Sequence, residues 1–467
     1  MRRRTFLLGA SGIPAALAIR GRAVRAGAPE VEGLRAGDTH VEPERDIPVR
    51  EMVDVLVCGS GPAGICAAVA AARAGASVRV IENNGCLGGI WTSGLLSWIY
   101  PVDNKPVQEL RARLEGMGWA YEYPSNLAYH PEAMKVALED MCREEGIGVR
   151  LHSRVTAAVK DEDERVRMVV TESKSGREAW PAKVFIDCTG DGDAAAFAGC
   201  RHEIGDPEDG RTQPWSMLAV VTGIDAGEVR PYVRELGEEI GERPVQNLLD
   251  AIEEGGVSPS YRGPRLFYLR EGMFMLMANQ EYGGLVTDAD EITQGTMQGR
   301  REVWDIVKAL RSLGHPWENL RLAATAEHIG IREGRRIRGH YTVTREDLEN
   351  GTRHEDAVCE ARHGVNVHNL WPPDDREGRP AYRVSVDAYD IPFRALIAAD
   401  VDGLLMAGRC ISGDFHAHGS YRITGYAAQL GQAAGVGAAL AAANDVLPQA
   451  LEWPEIEAAL QGVQKRD

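Results

Sequence analysis

Three glycines near the start of the chain have the spacing of a phosphate-binding loop. Gly59, Gly61 and Gly64 form the pattern G-x-G-x-x-G, and Pro62 and Ala63 lie between the second and third glycine. Such a loop presents backbone N–H groups at the start of a helix, where a negatively charged pyrophosphate binds. The spacing predicts binding of a dinucleotide; the alternative is a glycine-rich turn in some other α/β domain.

An acidic residue follows the loop at the position that nucleotide recognition requires. Glu82, with Asn83 directly after it, comes at the end of a second apolar segment. A carboxylate placed there can accept hydrogen bonds from both hydroxyls of an adenosine ribose. We therefore predict that Glu82 and Asn83 belong to the cofactor site together with the glycine loop.

A strand, a helix and a second strand must position these residues. Residues 53–57 are mostly apolar and stop at a glycine, which is typical of a strand buried on both faces. Apolar residues from Ile65 to Ala72 recur at helical spacing up to Gly75, which predicts that a helix stops there. Residues 77–81 predict the second strand. The sequence therefore predicts a β-α-β unit around the loop.

A second glycine-containing segment distinguishes between two dinucleotides. Gly85-Cys86-Leu87-Gly88-Gly89 resembles the double-glycine segment of flavoproteins with the glutathione-reductase-like fold. In that fold the segment follows the FAD pyrophosphate toward the ring system, and NAD dehydrogenases usually lack it. The resemblance implies that the cofactor is FAD and that Gly88 and Gly89 contact it.

Residues 50–445 resemble the FAD-dependent oxidoreductase family related to the flavoprotein subunits of fumarate reductase and succinate dehydrogenase. The similar pieces include GSGPAG, Gln213-Pro214, IGIREGRRIRGHYTVTREDL and AGRCISGDFHAHGSYRITGYAAQLGQAAG. Many members have R-E-T-R-R where this chain has Gly334 third, and often histidine in place of Phe415. The resemblance implies an α/β fold with a bipartite, Rossmann-like FAD-binding domain and an inserted α+β substrate or capping domain. The further cofactor contacts that it implies are Thr189, Gly190, Gly408, Arg409, Gly431 and Gln432.

The same resemblance suggests two catalytic residues, Arg422 and His418. Residues 418–425 are similar to the H-G-x-N-R-x-G-G stretch of fumarate reductases, in which the arginine binds a substrate carboxylate, although Tyr421 replaces the asparagine. A helix predicted from Tyr421 to Leu440 would direct its N-terminus at the flavin N1/C2 carbonyl. Arg422 is then either a substrate-binding or a structural residue, and His418 either transfers a proton or only packs.

Two charged clusters leave alternatives open. Asp187, Asp191 and Asp193 could form a metal or acid–base group, but aspartate and glycine also supply turns and helix caps, and we favour that interpretation. Four arginines between Arg332 and Arg338 predict either a basic or domain-contact surface or an anion site. We predict no metal site.

Composition excludes several classes of protein. The 467 residues carry a net charge of −17 and include 44% hydrophobic residues, so the chain is suited to a globular fold and not to nucleic acid or anionic membranes. The eight cysteines contain no C-x-x-C pair, which excludes the usual dithiol and zinc-finger motifs. Cys86 and Cys410 flank the expected flavin site and are the two thiols worth testing for reactivity.

The first residues indicate export. Residues 1–28 combine arginines with an apolar run too short for a stable membrane anchor, and Arg3-Arg4-Thr5-Phe6-Leu7 resembles the twin-arginine motif, which directs folded proteins out of the cytoplasm. The alternative is a cytoplasmic protein with a basic tail. The predicted segments are a signal peptide (1–28), a linker (29–50), two parts of the FAD-binding domain (51–205 and 389–445), the inserted domain (206–388) and a C-terminal tail (446–467).

Together these features predict an FAD-dependent oxidoreductase that transfers a hydride between flavin N5 and a small polar substrate such as a carboxylic acid. No second G-x-G-x-x-G occurs, so electrons must come from the substrate or from a separate donor or acceptor. The alternatives are an FAD-binding protein without redox turnover and a flavin-fold lyase. The oligomeric state is left open.

Overall fold

The strand before the glycine loop lies inside a seven-stranded sheet in the computed structural model. It pairs in parallel with Val78–Ile81 on one side and with the second half of Gly176–Asp187 on the other. Residues 55–58 have no exposed surface, as expected for an apolar run covered on both faces. The structure describes residues 39–123, 126–233, 236, 243–270, 272–375 and 381–464.

The described residues form twenty strands and ten α-helices. The strands are β1 (Val53–Cys58), β2 (Val78–Ile81), β3 (Trp98–Ile99), β4 (Ala120–Glu122), β5 (Leu127–Tyr129), β6 (Gly148–Arg150), β7 (Arg154–Lys160), β8 (Val166–Ser173), β9 (Gly176–Asp187), β10 (His202–Glu203), β11 (Ala219–Thr222), β12 (Arg265–Arg270), β13 (Met273–Met277), β14 (Arg321–Thr325), β15 (Arg336–Ile337), β16 (Ala357–Ala361), β17 (Val365–Val367), β18 (Tyr382–Val384), β19 (Tyr389–Pro392) and β20 (Leu404–Met406). The helices are α1 (Pro62–Arg73), α2 (Lys105–Gly116), α3 (Pro131–Glu144), α4 (Asp193–Phe197), α5 (Arg243–Glu254), α6 (Ala289–Ser312), α7 (Arg345–Asn350), α8 (Phe415–Tyr421), α9 (Thr424–Asn444) and α10 (Trp453–Gln464).

The main sheet has a parallel part and an antiparallel part that share one long strand. Its order is β6-β2-β1-β9-β8-β7, and β20 also pairs with β9. Strands β6, β2, β1, β9 and β20 are parallel, whereas β7, β8 and the first half of β9 are antiparallel. The predicted α/β fold with a Rossmann-like parallel sheet is confirmed. All the parallel strands therefore end at one edge of the sheet, which is where ligands bind in such folds.

Helices α1 and α9 approach each other so closely that only glycine fits at the contact. A Cβ atom added to Gly431 would lie 2.1 Å from the carbonyl oxygen of Ala63, and one added to Gly435 would lie 2.1 Å from that of Ala67. Both glycines and both alanines are four residues apart, so they repeat on one face of each helix. The small side chains let the two backbones touch.

A second sheet has a core of its own. Strands β12, β13, β11 and β14 form an antiparallel sheet in that order, and its core includes Phe274, Leu248 and Ile306 from the sheet and from α5 and α6. The predicted amphipathic helix at Met297–Leu310 is confirmed, with its apolar face buried. The helix begins earlier, at Ala289, because the Asp288 side chain accepts hydrogen bonds from the first-turn N–H groups of Asp290 and Glu291.

One predicted helix is wrong in its bounds. We expected a helix from Tyr421 to Leu440, but α8 ends at Tyr421 and α9 begins at Thr424. The N–H of Gly425, which would bond to the carbonyl of Tyr421 in a continuous helix, instead donates to the carbonyl of Tyr100 at 3.0 Å. That contact with a distant segment breaks the helix.

The chain divides into two contact units, Met1–Asp46 and Ile47–Asp467. In the first unit the structure describes residues 39–46, which form no helix or strand; the expected export signal lies outside the described residues. The boundaries expected at 205 and 388 fall inside the second unit and stay predictions. None of the described helices combines the length and the apolar character needed to cross a membrane.

Replacing Gly435 by alanine should destabilise the fold, because its Cβ would overlap the backbone of α1. We expect a loss of about 1–3 kcal/mol in the free energy of unfolding, measured by thermal or urea denaturation of the apoprotein. Gly462→Ala in α10 is the matched control: nothing lies within 4 Å of its added Cβ, so helix propensity should stabilise it by up to about 1 kcal/mol. Equal stability of the two variants would contradict the packing account.

Candidate functional site

Four turns at the carboxyl edge of the parallel sheet surround the start of α1. They follow β1, β2, β9 and β20, and contain most of the residues predicted to hold the cofactor. The N–H of Gly59 donates to the carbonyl of Ile81 at 2.7 Å, which ties the first turn to the second. A Cβ at Gly408 would lie 3.2 Å from that of Ala63, so the last turn also meets the start of α1. The structure thus brings together residues that are more than 300 positions apart in the chain.

The three glycines of the loop have three different surroundings. Gly59 has φ of +92°, and a Cβ there would lie 2.4 Å from the carbonyl oxygen of Cys188. A Cβ at Gly64 would lie 2.0 Å from the carbonyl oxygen of Gly59, so this glycine allows the helix to pack on the loop. At Gly61, by contrast, an added Cβ meets nothing within 4 Å. The space beside Gly61 is open at the uncapped N-terminus of α1, as binding of a pyrophosphate requires.

The carboxylate of Glu82 is buried and already accepts four hydrogen bonds. Ser60 donates its N–H at 2.8 Å and its hydroxyl at 2.6 Å to one oxygen, and Asn84 donates its N–H at 2.7 Å and its side-chain amide at 2.9 Å to the other. Asn83, the predicted neighbour, is exposed. Sequence reasoning missed Asn84, which has no signal beyond standing near Glu82. A ribose hydroxyl that binds this carboxylate must therefore share an oxygen with the Ser60 hydroxyl or the Asn84 amide, or displace one of them.

The double glycine lies directly against the glycine loop. The N–H of Gly88 donates to the carbonyl of Ser60 at 2.9 Å, and a Cβ at Gly89 would lie 3.0 Å from the Cα of Gly61. Gly88 has φ of +105° and Gly89 has φ of +52°, values that favour glycine. The segment therefore borders the open space at the start of α1, where the resemblance placed it.

The turn after β9 is built by its aspartates. Buried Asp187 accepts hydrogen bonds from the N–H and hydroxyl of Thr189 and from the N–H of Ala195, and burial raises the pKa of Asp187 to about 6. Asp191 pairs with Arg409 at 2.6 Å across Gly190, whose φ is +82°. These contacts agree with the structural turn favoured from the sequence. Among the described residues no three His, Cys, Asp or Glu side chains gather to hold a metal.

Gly431 and Gln432 lie on α9 behind the loop. Gly431 touches the carbonyl of Ala63, so its described contact is with protein backbone, and Gln432 is buried. Both thiols singled out from the sequence, Cys86 and Cys410, are free and buried. Burial also raises the pKa of the Cys410 thiol, which disfavours the reactive thiolate.

Arg422 lies between α8 and α9, partly buried and without a described carboxylate within 4 Å. Its Nη2 donates to the backbone carbonyl of Asn366 at 3.0 Å and to Oε1 of Gln213 at 3.3 Å. Its Nε is buried and has no partner among the described residues. Burial, and next the positive charge of Arg332, lower the pKa of Arg422. The guanidinium is therefore held by neutral oxygens and keeps an uncompensated charge.

His418 lies inside α8 with no exposed surface. Neither ring nitrogen has a described side-chain partner. Burial, and the positive charges of Arg336, Arg422 and Arg409, lower its pKa well below the ordinary value, so the imidazole is neutral. A proton-transfer role would require its ring to be uncovered, and stays a prediction.

The arginines after residue 331 do not form one surface. Arg336 is buried and pairs with Glu333, Arg335 donates to Asp193 at 2.9 Å, and Arg338 is exposed. Arg332 instead donates to the carbonyl of Pro214 and, at 2.9 Å, to the hydroxyl of Ser216. Arg335 and Arg336 therefore make ion pairs with other parts of the protein, whereas Arg332 has no described carboxylate within 4 Å.

The donor set and the open space fit a flavin dinucleotide. An uncapped helix N-terminus beside Gly61, the double glycine next to it and the carboxylate of Glu82 provide sites for a pyrophosphate and a ribose. Both ring nitrogens of His418, in the helix that follows β20, are buried without a described side-chain partner. Such atoms are costly unless a ligand or water satisfies them.

A protein family and several solved structures are similar to this chain. The family described as FAD dependent oxidoreductase matches residues 54–460. The fold is similar to that of a geranylgeranyl bacteriochlorophyll reductase-like protein from Thermoplasma acidophilum, with 13% identity over 89% of this chain and 83% of that chain and a TM-score of 0.45. A flavin-dependent brominase has 12% identity over 88% and 83%, with a TM-score of 0.45. A p-nitrophenol 4-monooxygenase from Pseudomonas putida has 13% identity over 90% and 91%, with a TM-score of 0.41. On the family match, this chain belongs to the FAD-dependent oxidoreductase family, and it is an oxidoreductase with FAD as its cofactor.

Proposed function

We propose that this oxidoreductase acts on a small polar substrate whose anionic group is bound by Arg422. When bound, FAD supplies the hydride acceptor or donor at flavin N5. The observation that carries the proposal is the partly buried guanidinium of Arg422, which has only neutral oxygens as described partners. The resemblance of residues 418–425 to the substrate-binding stretch of fumarate reductases supports the same role.

The contacts of Arg422 suit the recognition of an anion. Gln213 Oε1 and the Asn366 carbonyl both bind Nη2, which fixes the plane of the guanidinium. Nε has no described hydrogen-bond acceptor, so a donor on another edge of the group is free for a carboxylate. A planar, fixed fork binds a carboxylate through two hydrogen bonds, which a lysine ammonium cannot reproduce.

Substrate binding would also relieve the charge of this region. Arg332 and Arg409 both lower the pKa of Arg422, so the three positive charges repel one another. The negative charge of Glu333 acts in the opposite direction, but its carboxylate is occupied by Arg336 and by the N–H groups of Gly205 and Gln213. A bound anion would stabilise Arg422 and Arg332, which have no described carboxylate within 4 Å, whereas Arg409 is already paired with Asp191.

The first test concerns the cofactor. Gly61→Ala should leave the apoprotein as stable as the wild type, because its Cβ meets nothing within 4 Å. FAD affinity, measured by titrating the apoprotein, should fall by at least about tenfold, because the methyl group occupies the space where the backbone must approach the pyrophosphate. Gly116→Ala, whose Cβ also meets nothing within 4 Å, lies at the end of α2 away from the loop and should leave the FAD affinity unchanged. Unchanged FAD affinity in Gly61→Ala would remove the loop from the cofactor site.

The second test concerns Arg422. Arg422→Lys keeps the charge and loses the planar fork, so kcat/KM on the best substrate should fall by more than about tenfold, or about 1.4 kcal/mol. The absorption spectrum of bound FAD should stay unchanged. Arg301→Lys, an exposed residue of α6, serves as the control and should keep full activity. Normal kcat/KM in Arg422→Lys would exclude Arg422 from the site, and loss of FAD together with activity would make it structural.

We also propose export by the twin-arginine pathway, supported by the sequence of residues 1–28 alone. Replacing Arg3 and Arg4 together by lysine should leave the FAD-loaded precursor in the cytoplasm. Cell fractionation with immunodetection measures this outcome, and a Lys105→Arg variant of the same precursor is the control. Continued export of the double variant would refute the proposal.

A further inference from the structure

A cavity of about 360 Å³ lies next to the residues that hold Arg422. Its walls come from three segments: the start of β12 with the end of β13, the strand β17 and its flanks, and the end of β18. Two residues of the wall connect the cavity to Arg422. Arg422 donates to the backbone carbonyl of Asn366. Gln213 Oε1 accepts hydrogen bonds from both Arg422 and the backbone N–H of His368. The size is at the lower end of the range for small-molecule sites.

Two arginines line this cavity, and two more act on a histidine of its wall. Arg265 and Arg383 line it, and the positive charges of Arg265, Arg332, Arg383 and Arg422 all act on His368, lowering its pKa after burial does so. No described carboxylate lies within 4 Å of any of the four guanidinium groups. The chain has a net charge of −17, so an excess of basic residues in its composition does not explain four arginines without a neighbouring carboxylate.

Hydrogen-bond donors at this cavity lack acceptors. Nε of Arg265 and Nε of Arg422 are buried without a described partner. Leaving a buried donor without an acceptor destabilises the fold, and more so for a charged group. Single buried arginine nitrogens without a described partner also occur elsewhere, at Arg79 and Arg165, but here two of them belong to guanidinium groups without a described carboxylate beside one cavity. The cavity therefore has donors and positive charge to which the described protein supplies no matching anion.

His368 adds a neutral donor. Its Nδ1 lies 2.8 Å from Nε2 of Gln280, and the Tyr282 hydroxyl donates to Oε1 of the same amide at 2.6 Å. With the amide in this orientation, Nε2 of Gln280 donates to Nδ1. Because its pKa is lowered, the imidazole is neutral and carries its proton on Nε2. This N–H is then a further donor for a ligand.

We propose that the cavity lined by Arg265, Arg383 and His368 is a subsite for a second negative charge, so that the substrate is a small organic dianion. The inference rests on the proposed function, because it assigns the first charge to Arg422. The outer pair, Arg265 and exposed Arg383, then binds the second charge. Carboxylate and phosphate groups share the required chemistry, and the titrations below distinguish them.

The test measures binding and not turnover, so that its result is independent of the hydride-transfer proposal. FAD-loaded protein is titrated in a calorimeter at pH 8 and low salt with succinate and glycerol 3-phosphate as dianions. Butyrate and glycerol are their matched probes with one charge fewer or none. We expect at least one dianion to bind at least about tenfold more tightly than its matched probe. No binding of either dianion, or equal binding of the matched pairs, would overturn the subsite.

The variants locate the binding. Arg265→Gln combined with Arg383→Gln should weaken dianion binding by at least about tenfold and leave the monoanion unaffected. Arg321→Gln, an exposed position on β14 of the same sheet, makes the same change of charge outside the cavity and should bind like the wild type. If the double variant does not fold, Arg383→Gln alone should weaken binding by at least about threefold. Wild-type dianion affinity in these variants would refute the proposal.

The two proposals fail in different ways. If dianion binding depends on Arg265 and Arg383 but Arg422→Lys keeps full kcat/KM, the subsite stands and the role of Arg422 is wrong. If Arg422→Lys loses turnover while the Arg265 and Arg383 variants bind dianions normally, the role of Arg422 stands and the subsite is wrong.

Discussion

The backbone contact between α1 and α9 is the constraint on which the cofactor site depends. Gly431 and Gly435 bring α9 against the carbonyl groups of Ala63 and Ala67, and no larger residue fits at this distance. The helix whose N-terminus faces the open space beside Gly61 is thereby fixed from behind. A phosphate site at a helix N-terminus needs N–H groups that are held in place. The packing of α9, near the end of the chain, therefore supports the binding geometry at the start of α1.

Charge is distributed differently in the two parts of the site. Around the glycine loop and the turn after β9, carboxylates are satisfied by backbone N–H groups and by arginines, as with Asp187 and the Asp191–Arg409 pair. Around Arg422 and the cavity beside it, arginines have neutral oxygens or no described acceptors. The first arrangement stabilises loops that must keep their shape, and the second is the basis of the proposed anion sites.

The sequence was sufficient where the signal is local. The β-α-β unit followed from apolar periodicity and glycine spacing within 30 residues, and the structure confirms it. The break between α8 and α9 could not be predicted, because the N–H of Gly425 is taken by Tyr100, far away in the chain. The grouping of Arg332, Gln213 and His368 around Arg422 could not be predicted for the same reason, because it arises only after distant segments pack together. Residue types alone do not show which arginines will be left without a carboxylate.

The candidate cofactor site can form only late in synthesis, because it needs β20 to pair with β9 and α9 to pack on α1. The ribosome makes α1 first and must add more than 350 further residues before Gly431 and Gly435 emerge. At about 5–20 residues per second, this interval is on the order of 20–70 s. Throughout it the alanine-rich face of the nascent α1 has no helix to cover it. The contact that holds the loop from behind can therefore form only near the end of synthesis, and a chain truncated before residue 431 lacks it.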